Sequence, residues 1–222
     1  MLAHRDLEAG ELELGLFPLP RVVLFPGMVL PLIVFEPRYR ALTADAIAGS
    51  RWIGIPRLVP GHEAQYLGCP PICPRLGIGR IVEDVKLPDG RYRIVVQGMA
   101  RAELLEEVRQ TPYRVGRVRP LPEVEASHDA EGAGLRVHLL RQASEVLTPL
   151  GEQAKTALEA LGAAAKLGQL ADLAAATLIA DDAVRQQLLE TPEPNARLGL
   201  IIAQLHAEHG HTKTQPTRDQ LN

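Results

Sequence analysis

The hydrophobic pattern near the start of the chain is its most unusual sequence feature. Residues 16–40 read LFPLPRVVLFPGMVLPLIVFEPRYR, and residues 22–35 carry no charge. This run is shorter than the roughly 20 apolar residues that a membrane-spanning helix needs. Its two prolines would also interrupt a helix, and the acidic opening MLAHRDLEAGELELG lacks the basic start of a signal peptide. We therefore expect the run to form part of a soluble core, with no membrane as a partner.

The same run predicts two β-strands. Residues 22–25 and 28–35 are rich in β-branched and aromatic side chains, and Pro26-Gly27 separates them. Because the apolar residues are continuous rather than alternating, we expect both faces of these strands to be covered. Pro31 fits an edge strand or a bulge, where its missing N–H is not needed.

The clearest hairpin is IGRIVEDVKLPDGRYRIVVQG, residues 78–98. Pro88 presets the backbone at the second turn position, Asp89 tolerates the third, and Gly90 takes the positive φ that follows. The flanking segments, 78–87 and 91–97, are the predicted strands of this hairpin.

Two further strands and one helix complete the first half. Residues 100–108 and 112–119 continue the strand pattern, and a bulge at Gly116 would bring Val118 into phase with Tyr113. Residues 37–49 (PRYRALTADAIAG) instead repeat apolar positions at helical spacing. They begin with a proline suited to a first helical position and end at a glycine.

The second half of the chain is rich in alanine and leucine, and its spacing predicts helices only. Helical segments are expected at 135–150, 152–166 and 168–180, then one that Asp181 would cap, and a last one that opens at Thr191-Pro192. The change of pattern predicts an amino-terminal unit at residues 1–122 and a helical unit at 123–210. Residues 211–222 hold a single apolar side chain, so we expect a disordered tail.

Composition is that of an ordinary globular protein, with 222 residues, 46% hydrophobic and 23% charged. The net charge of −3 provides no general attraction for nucleic acid or for an acidic membrane. Aromatic residues make up 4%, too few to suggest stacking platforms for single strands. Two cysteines and no export signal indicate a reducing cytoplasm as the location.

The sequence contains no evident catalytic constellation. The phosphate-binding pattern G-x-x-x-x-G-K-[ST] is absent, and Gly77-x-Gly79 lacks the third glycine of a dinucleotide site. Ser144 and Lys155 are close enough along the chain to suggest a Ser-Lys dyad. However, Ser144 falls within a predicted amphipathic helix without a signal for an oxyanion hole. We therefore expect neither enzyme activity nor a cofactor.

Two groups of metal-ligating residue types occur. Cys69 and Cys73 form a C-x-x-x-C pair with His62 nearby, which falls short of the four ligands of a structural zinc site. A disulfide between them is geometrically feasible but disfavoured in a reducing compartment, and the sequence leaves thiol, bridged and metal-bound states open. The second group, near the end of the chain, is typical of a solvated helix end because no carboxylate is placed to orient it. Its members are His206, His209 and His211.

A local basic patch surrounds the last predicted strands, and it consists of Arg109, Arg114, Arg117 and Arg119. These side chains could contact nucleic-acid phosphates. Glutamates lie beside them on the neighbouring segment, however, which favours cross-strand ion pairs. Given the acidic net charge, we expect paired or solvated arginines and no nucleic-acid partner.

Three segments carry a family resemblance. They read FPLPRVVLFPGMVLPLIVFEPRYRAL, GIGRIVEDVKLPDGRYRIVVQGMARAEL and LADLAAATLIADDAVRQQLLETPEPNARLGLII, and together they span about residues 14–205. In order and spacing the chain resembles the amino-terminal substrate-binding domain of the ATP-dependent Lon protease. It is most similar to stand-alone bacterial proteins that consist of that domain only.

The resemblance implies an α+β fold. Residues 1–122 would form a PUA-like β pseudo-barrel with an inserted helix, and residues 123–210 would form a small helical bundle. The implied role is a non-enzymatic module that binds unfolded or partner polypeptide segments, with a homodimer as one option. The ATPase and Ser-Lys peptidase modules of the full protease do not fit within 222 residues, so proteolysis is not implied.

An alternative function and the location of the binding residues stay open at this point. PUA-like folds bind RNA elsewhere, and an RNA-binding protein would lose salt-sensitive RNA retention when Arg114 and Arg117 become alanine. The sequence does not locate a binding cleft. Four apolar residues on short strands could line one, although most such residues belong to a core; they are Phe25, Met28, Phe35 and Met99.

Overall fold

A six-stranded sheet forms the first part of the chain in the computed structural model, which describes residues 7, 10–62, 68–122, 124 and 130–213. The chain divides into two units, Met1–Glu123 and Val124–Asn222. In the first unit, helix α1 (Pro37–Ala48) is inserted between the second and third strands. The strands are β1 (Leu12–Leu16), β2 (Val29–Val34), β3 (Trp52–Ile55), β4 (Arg75–Lys86), β5 (Tyr92–Arg109) and β6 (Val115–Leu121).

Five of these strands close into a ring. The hydrogen-bonded order is β2-β5-β4-β3-β1-β6, and β6 also pairs with β5. Closure depends on the length of β5: its residues 92–97 pair with β2, whereas its residues 101–109 pair with β6. The ring with its inserted helix confirms the predicted pseudo-barrel, and β2 extends the sheet outside the ring.

The turn between β4 and β5 forms as the sequence predicts. The N–H of Gly90 donates to the carbonyl of Leu87 at 2.9 Å, and Gly90 has a φ of 82°. The Asp89 carboxylate accepts a hydrogen bond from the N–H of Arg91 at 3.0 Å. These contacts fix the register of the longest strand pair, β4 with β5.

The predicted strand at 22–25 is wrong, although its side chains are buried. Residues 22–25 have no strand partner, and Val23, Leu24 and Phe25 are at most 2% exposed. This segment crosses over the sheet at two glycines: a β-carbon on Gly77 would lie 2.1 Å from the carbonyl oxygen of Leu24, and one on Gly98 would lie 2.0 Å from that of Phe25. An apolar run that crosses a sheet is buried like a strand, so hydrophobicity alone could not separate the two.

The bulge predicted at Gly116 is also wrong. Strand β6 is regular from Val115 to Val118, and the extra residues lie opposite it in β5, at Leu105 and Val108. Gly116 is needed for a different reason, since a β-carbon there would lie 2.5 Å from the Leu104 side chain. In this regular strand Val115 and Val118 lie on opposite faces and pack against different core clusters, so no bulge in β6 is needed.

Helix α1 packs its predicted apolar side against the sheet. Tyr39 and Leu42 are 4% and 1% exposed, and the Tyr39 ring stacks on Phe17 with 4.1 Å between ring centroids. They join a core that contains residues of β2, β3, β4 and β5. A second cluster, around Leu16, Leu76 and Val118, completes the interior of this unit.

The described part of the second unit consists of helices. Asp181 caps one of them as predicted, accepting hydrogen bonds from the N–H groups of Ala183 at 2.7 Å and Val184 at 3.2 Å. Of the predicted tail, residues 211–213 form the end of the last helix, and residues 214–222 lie outside the described residues. The helices are α2 (Ala130–Leu147), α3 (Glu152–Ala163), α4 (Leu167–Leu178), α5 (Asp182–Glu190) and α6 (Pro194–Lys213), with a 3₁₀ turn at Thr148–Leu150.

Candidate functional site

Strand β2 presents large apolar side chains to solvent. Along this strand exposure alternates, with Val29 and Ile33 at 58% and 50% and Leu30 and Val34 at 9% and 1%. Phe35, directly after the strand, is 62% exposed. The expectation that both faces are covered is therefore wrong for β2. One face packs into the barrel, and the other is apolar and open.

The open face continues across the sheet onto β4. Residues directly opposite each other in paired strands lie on the same face, and Ile33 is opposite Arg93, which is opposite Val85. Val85 is 44% exposed. We call the group Val29, Ile33, Phe35 and Val85 the exposed sheet face. The exposed Arg93 separates Val85 from the row on β2. Scattered apolar residues on a surface are normal, but a row such as Val29, Ile33 and Phe35 along one strand is typical of an interaction site.

The backbone of β2 is also available at this place. Among the described residues β2 pairs only with β5, so it is an edge strand. The carbonyl of Met28 accepts a hydrogen bond from the N–H of Gly98 at 2.8 Å, and bonded positions alternate in antiparallel pairs. Even-numbered residues of β2 therefore bond to β5, and odd-numbered residues turn their backbone groups outward. Pro31, which has no N–H, occupies one of the outward positions and confirms the edge assignment.

Only one of the four residues proposed to line a cleft is fully accessible. Phe25 is 0% exposed, and Met28 and Met99 are partly buried and pack against the two cores. Phe35 alone projects into solvent. Sequence reasoning missed Val29, Ile33 and Val85. The signal that could have found the two residues on β2 is the continuous apolarity of that strand beside an edge-strand proline.

The basic patch consists of arginines that contact other side chains. Arg114 is buried, and its Nε and Nη2 donate to the two carboxylate oxygens of Glu107 at 2.7 and 2.5 Å. The other three make contacts across or beside the strands. Arg117 binds Glu106 and Glu13, Arg119 binds Glu11, and Arg109 lies over the Tyr113 ring. The pKa of Arg117 is raised, chiefly by its hydrogen bond to Glu13 and then by the Glu106 charge.

Ser144 and Lys155 do not form a dyad in the described structure. Ser144 is exposed on α2, and its Oγ lies 3.4 Å from Oγ1 of Thr148. Lys155 is exposed on α3, and no hydrogen bond joins it to Ser144 in the part of the chain described.

The candidate metal ligands form no group of three among the described residues. Cys69 is exposed, Cys73 is buried, and no disulfide joins them. His62 is half-buried, next to residues 63–67, which lie outside the described residues. Nε2 of His206 lies 3.3 Å from Nε2 of His138 on α2, a pairing the sequence did not suggest. The side chains of His209 and His211 are outside the described set, and within that set no three ligating residues are grouped around a metal position.

No helix among the described residues has the length and apolarity required to cross a membrane.

Comparison with known proteins identifies one family. The family model described as the ATP-dependent protease La (LON) substrate-binding domain matches residues 13–207. Lon protease of Anaeromyxobacter dehalogenans (strain 2CP-C) is 33% identical over 193 residues, which is 87% of this chain and 23% of that protein. Lon protease 2 of Myxococcus xanthus is 32% identical, with the same shares covered. The chain thus spans about a quarter of the length of these relatives.

Solved structures give the same fold. The amino-terminal domain of Mycobacterium avium complex Lon protease has a TM-score of 0.70 at 20% identity, covering 88% of this chain and 98% of that one. The Lon N-terminal domain protein from Xanthomonas campestris has a TM-score of 0.63 at 24% identity, covering 86% and 98%. The two structures therefore support the α+β arrangement of a barrel followed by helices.

Proposed function

The chain belongs to the ATP-dependent protease La (LON) substrate-binding domain family, and on this premise we propose that it binds segments of other polypeptides without cleaving them. The observation that carries the proposal is the exposed sheet face on β2 and β4. Val29, Ile33 and Phe35 are each at least half exposed beside an open strand edge. The family match extends over the substrate-binding domain alone, which is the basis for proposing a module without catalysis.

Unfolded segments are the proposed ligands because the exposed sheet face presents both apolar side chains and outward backbone groups of β2. Apolar side chains that a native protein keeps inside are accessible in an unfolded one, and they can cover Ile33 and Phe35. An extended segment can also bond to the outward backbone groups of β2, which is the mode of strand addition. Pro31 removes one donor from this edge, so side-chain burial rather than main-chain pairing would provide most of the binding free energy.

The expected affinity is modest. Full burial of one apolar side chain contributes about 1.5–3 kcal/mol, whereas association costs about 4–15 kcal/mol in lost freedom. Several contacts are needed to offset that cost, so we expect dissociation constants in roughly the micromolar range. Such binding selects unfolded chains by the number of apolar residues they present and not by one defined sequence.

A direct test uses the full 222-residue protein and one probe in two states. Fluorescence anisotropy would follow labelled α-lactalbumin, either native or reduced and carboxymethylated so that it stays unfolded, without ATP. The proposal predicts saturable binding of the unfolded probe, little binding of the native one, and an intact probe by mass spectrometry after incubation. Equal binding of both states, or fragmentation of the probe, would contradict it.

A second copy of the chain is the competing occupant of the exposed sheet face. Sedimentation velocity over a range of concentrations distinguishes the two cases. We expect a monomer at the concentrations at which the unfolded probe binds. A dimer that the probe cannot dissociate would assign the face to self-association instead.

A further inference from the structure

A cavity of about 350 Å³ lies between helix α1 and the β4–β5 hairpin. Its lining consists of Pro37, Arg40, Ala41, Lys86, Gly90 and Tyr92. Two of these six residues are cationic and none is acidic. Pro37 is the first residue of the 12-residue helix α1, so one side of the first turn of that helix borders the cavity.

Among the described residues, the two cationic side chains at the cavity have few partners. Nε of Arg40 is buried and donates no hydrogen bond among the described residues. Nζ of Lys86 lies 5.7 Å from the centre of the Tyr92 ring, and the described residues give it no carboxylate. Because Nε has almost no accessible surface, the Nη groups of Arg40 beside Gly90 are the atoms that a ligand in the cavity would meet.

Gly90 leaves room for the Arg40 guanidinium. A β-carbon on Gly90 would lie 2.3 Å from Nη2 of Arg40, so a side chain there would displace the arginine. The two Nη groups of an arginine form a fork that matches the two oxygens of a carboxylate. The hairpin turn therefore holds the guanidinium at the wall of the cavity.

The two carboxylates next to lining residues in the sequence are bound to other groups. Oδ2 of Asp89 accepts from Nε of Arg91 at 2.7 Å, and Glu36 pairs with Arg38 at 3.0 Å. The pKa of Asp89 is lowered, first by its hydrogen bond from the Arg91 backbone, and the Arg40 charge acts in the same direction. Two positive charges thus line the cavity, and the Asp89 carboxylate lies close enough to interact with that of Arg40.

We infer that this cavity binds a carboxylate group of a captured polypeptide, with Arg40 and Lys86 as its cationic contacts. The inference rests on the proposed function for the identity of the ligand. Lys86 is opposite Tyr92, and Tyr92 is opposite the buried Val34, so these cavity residues lie on the other face of the sheet from Ile33 and Val85. A segment that covers Phe35 would reach the cavity around the end of β2, because Phe35 and the lining residue Pro37 are two residues apart. The source is either an Asp or Glu side chain or the carboxyl terminus of the segment.

Small probes test the site without requiring client capture. Nuclear magnetic resonance of the protein labelled with ¹⁵N-arginine would follow the Nε–H signal of Arg40. Four ligands would be titrated: N-acetyl-leucine, its uncharged amide, the α-amide of N-acetyl-glutamate, and inorganic phosphate. We expect a saturable shift with one or both carboxylates and none with N-acetyl-leucinamide. Whichever carboxylate binds more tightly identifies the source as chain terminus or side chain.

Matched variants make the assignment specific. Carboxylate affinity of each variant would be measured from the resonances of the ligand. Arg40→Gln and Lys86→Gln should each weaken carboxylate binding at least fivefold. Arg21→Gln removes an exposed charge outside the cavity lining and should leave the affinity unchanged. Lys86 is exposed, so its variant keeps the test valid if Arg40→Gln does not fold. An equal response to the amide, unchanged affinity in both variants, or tighter binding of phosphate than of either carboxylate would overturn the inference.

The two proposals fail in different ways. If the small carboxylates bind but the unfolded probe does not, the carboxylate site stands and the polypeptide-binding proposal fails. If the probe binds and no carboxylate shifts Arg40, the site fails and the exposed sheet face stands.

Discussion

Arg197 and Asp172 form an ion pair in the interior of the helical unit. Nε of Arg197 lies 3.4 Å from Oδ1 of Asp172, and the two side chains are 1% and 2% exposed. Nη1 of Arg197 also donates to the carbonyls of Thr191 and Pro192 at 3.1 and 2.8 Å. One guanidinium therefore joins the start of α6 to α4 and satisfies carbonyls of the preceding loop.

Replacing Arg197 with methionine should destabilise the protein by about 3–5 kcal/mol, because it leaves the buried Asp172 without its guanidinium. Urea unfolding followed by circular dichroism at 222 nm measures the change. The double variant Arg197→Met, Asp172→Leu removes both charges and should recover much of the loss. Arg141→Met serves as control, since Arg141 and its partner Glu145 are both more than half exposed. Its effect should stay below about 0.5 kcal/mol, and a similar loss in both arginine variants would contradict the burial argument.

Gly98→Ala should prevent folding or cost more than about 3 kcal/mol. The new β-carbon would lie 2.0 Å from the carbonyl oxygen of Phe25, and both are held by backbone that cannot rotate away. Gly134→Ala is the matched control, because nothing lies within 4 Å of a β-carbon at that position in α2. It should stabilise the protein by about 0.5–1 kcal/mol, the usual cost of glycine within a helix. Thermal unfolding of the two variants would separate them, and a well-folded Gly98→Ala protein would refute the crossing of residues 22–25 over β5.

Tyr113 should make stability sensitive to alkaline pH. The pKa of its phenol is raised above 10.0, first by burial and then by its hydrogen bond to Asp45, where Oη donates to Oδ2 at 2.6 Å. The folded state thus favours the protonated phenol, so its contribution is complete below pH 10 and declines as the pH rises above that value. Urea midpoints at pH 9 and pH 11 measure the decline. It should be smaller in Tyr113→Phe, and an equal decline in both proteins would show that Tyr113 is not the group involved.

The turns and helices of this protein are largely readable from its sequence because their signals are local. Gly90 takes its positive φ as Pro88-Asp89-Gly90 predicts, and Asp181 caps α5 as its position indicates. Helix α1 occupies residues 37–48 against a prediction of 37–49. The signals for each of these elements come from residues close to it in the sequence.

The missed features depend on partners distant in sequence. Residues 22–25 look like a strand because they are apolar, but whether such a run pairs or crosses depends on Gly77 and Gly98 elsewhere in the chain. The bulges at Leu105 and Val108 are visible only once β6 is placed beside β5. The meeting of His138 and His206 likewise needs the packing of α2 on α6.

The candidate site was misread for a related reason. Continuous apolarity in β2 predicted burial on both faces, yet Val29, Ile33 and Phe35 face solvent. A hydrophobic pattern indicates which side chains favour burial. It does not indicate whether they are buried by other residues of this chain or by a bound ligand. The mismatch between pattern and exposure is what marks the exposed sheet face as a binding surface.

The most direct test of polypeptide capture on this face is the affinity of paired surface variants for the unfolded probe. The test pair, Ile33→Ser with Phe35→Ser, removes two apolar side chains that are 50% and 62% exposed on the sheet face. The control pair, Val137→Ser with Leu150→Ser, removes two that are 68% and 67% exposed on the helical unit. Both pairs should keep the wild-type urea midpoint. We predict at least a tenfold weaker dissociation constant for the first pair and an unchanged one for the second. Undiminished binding by Ile33→Ser with Phe35→Ser, or an equal loss in both pairs, would contradict the account.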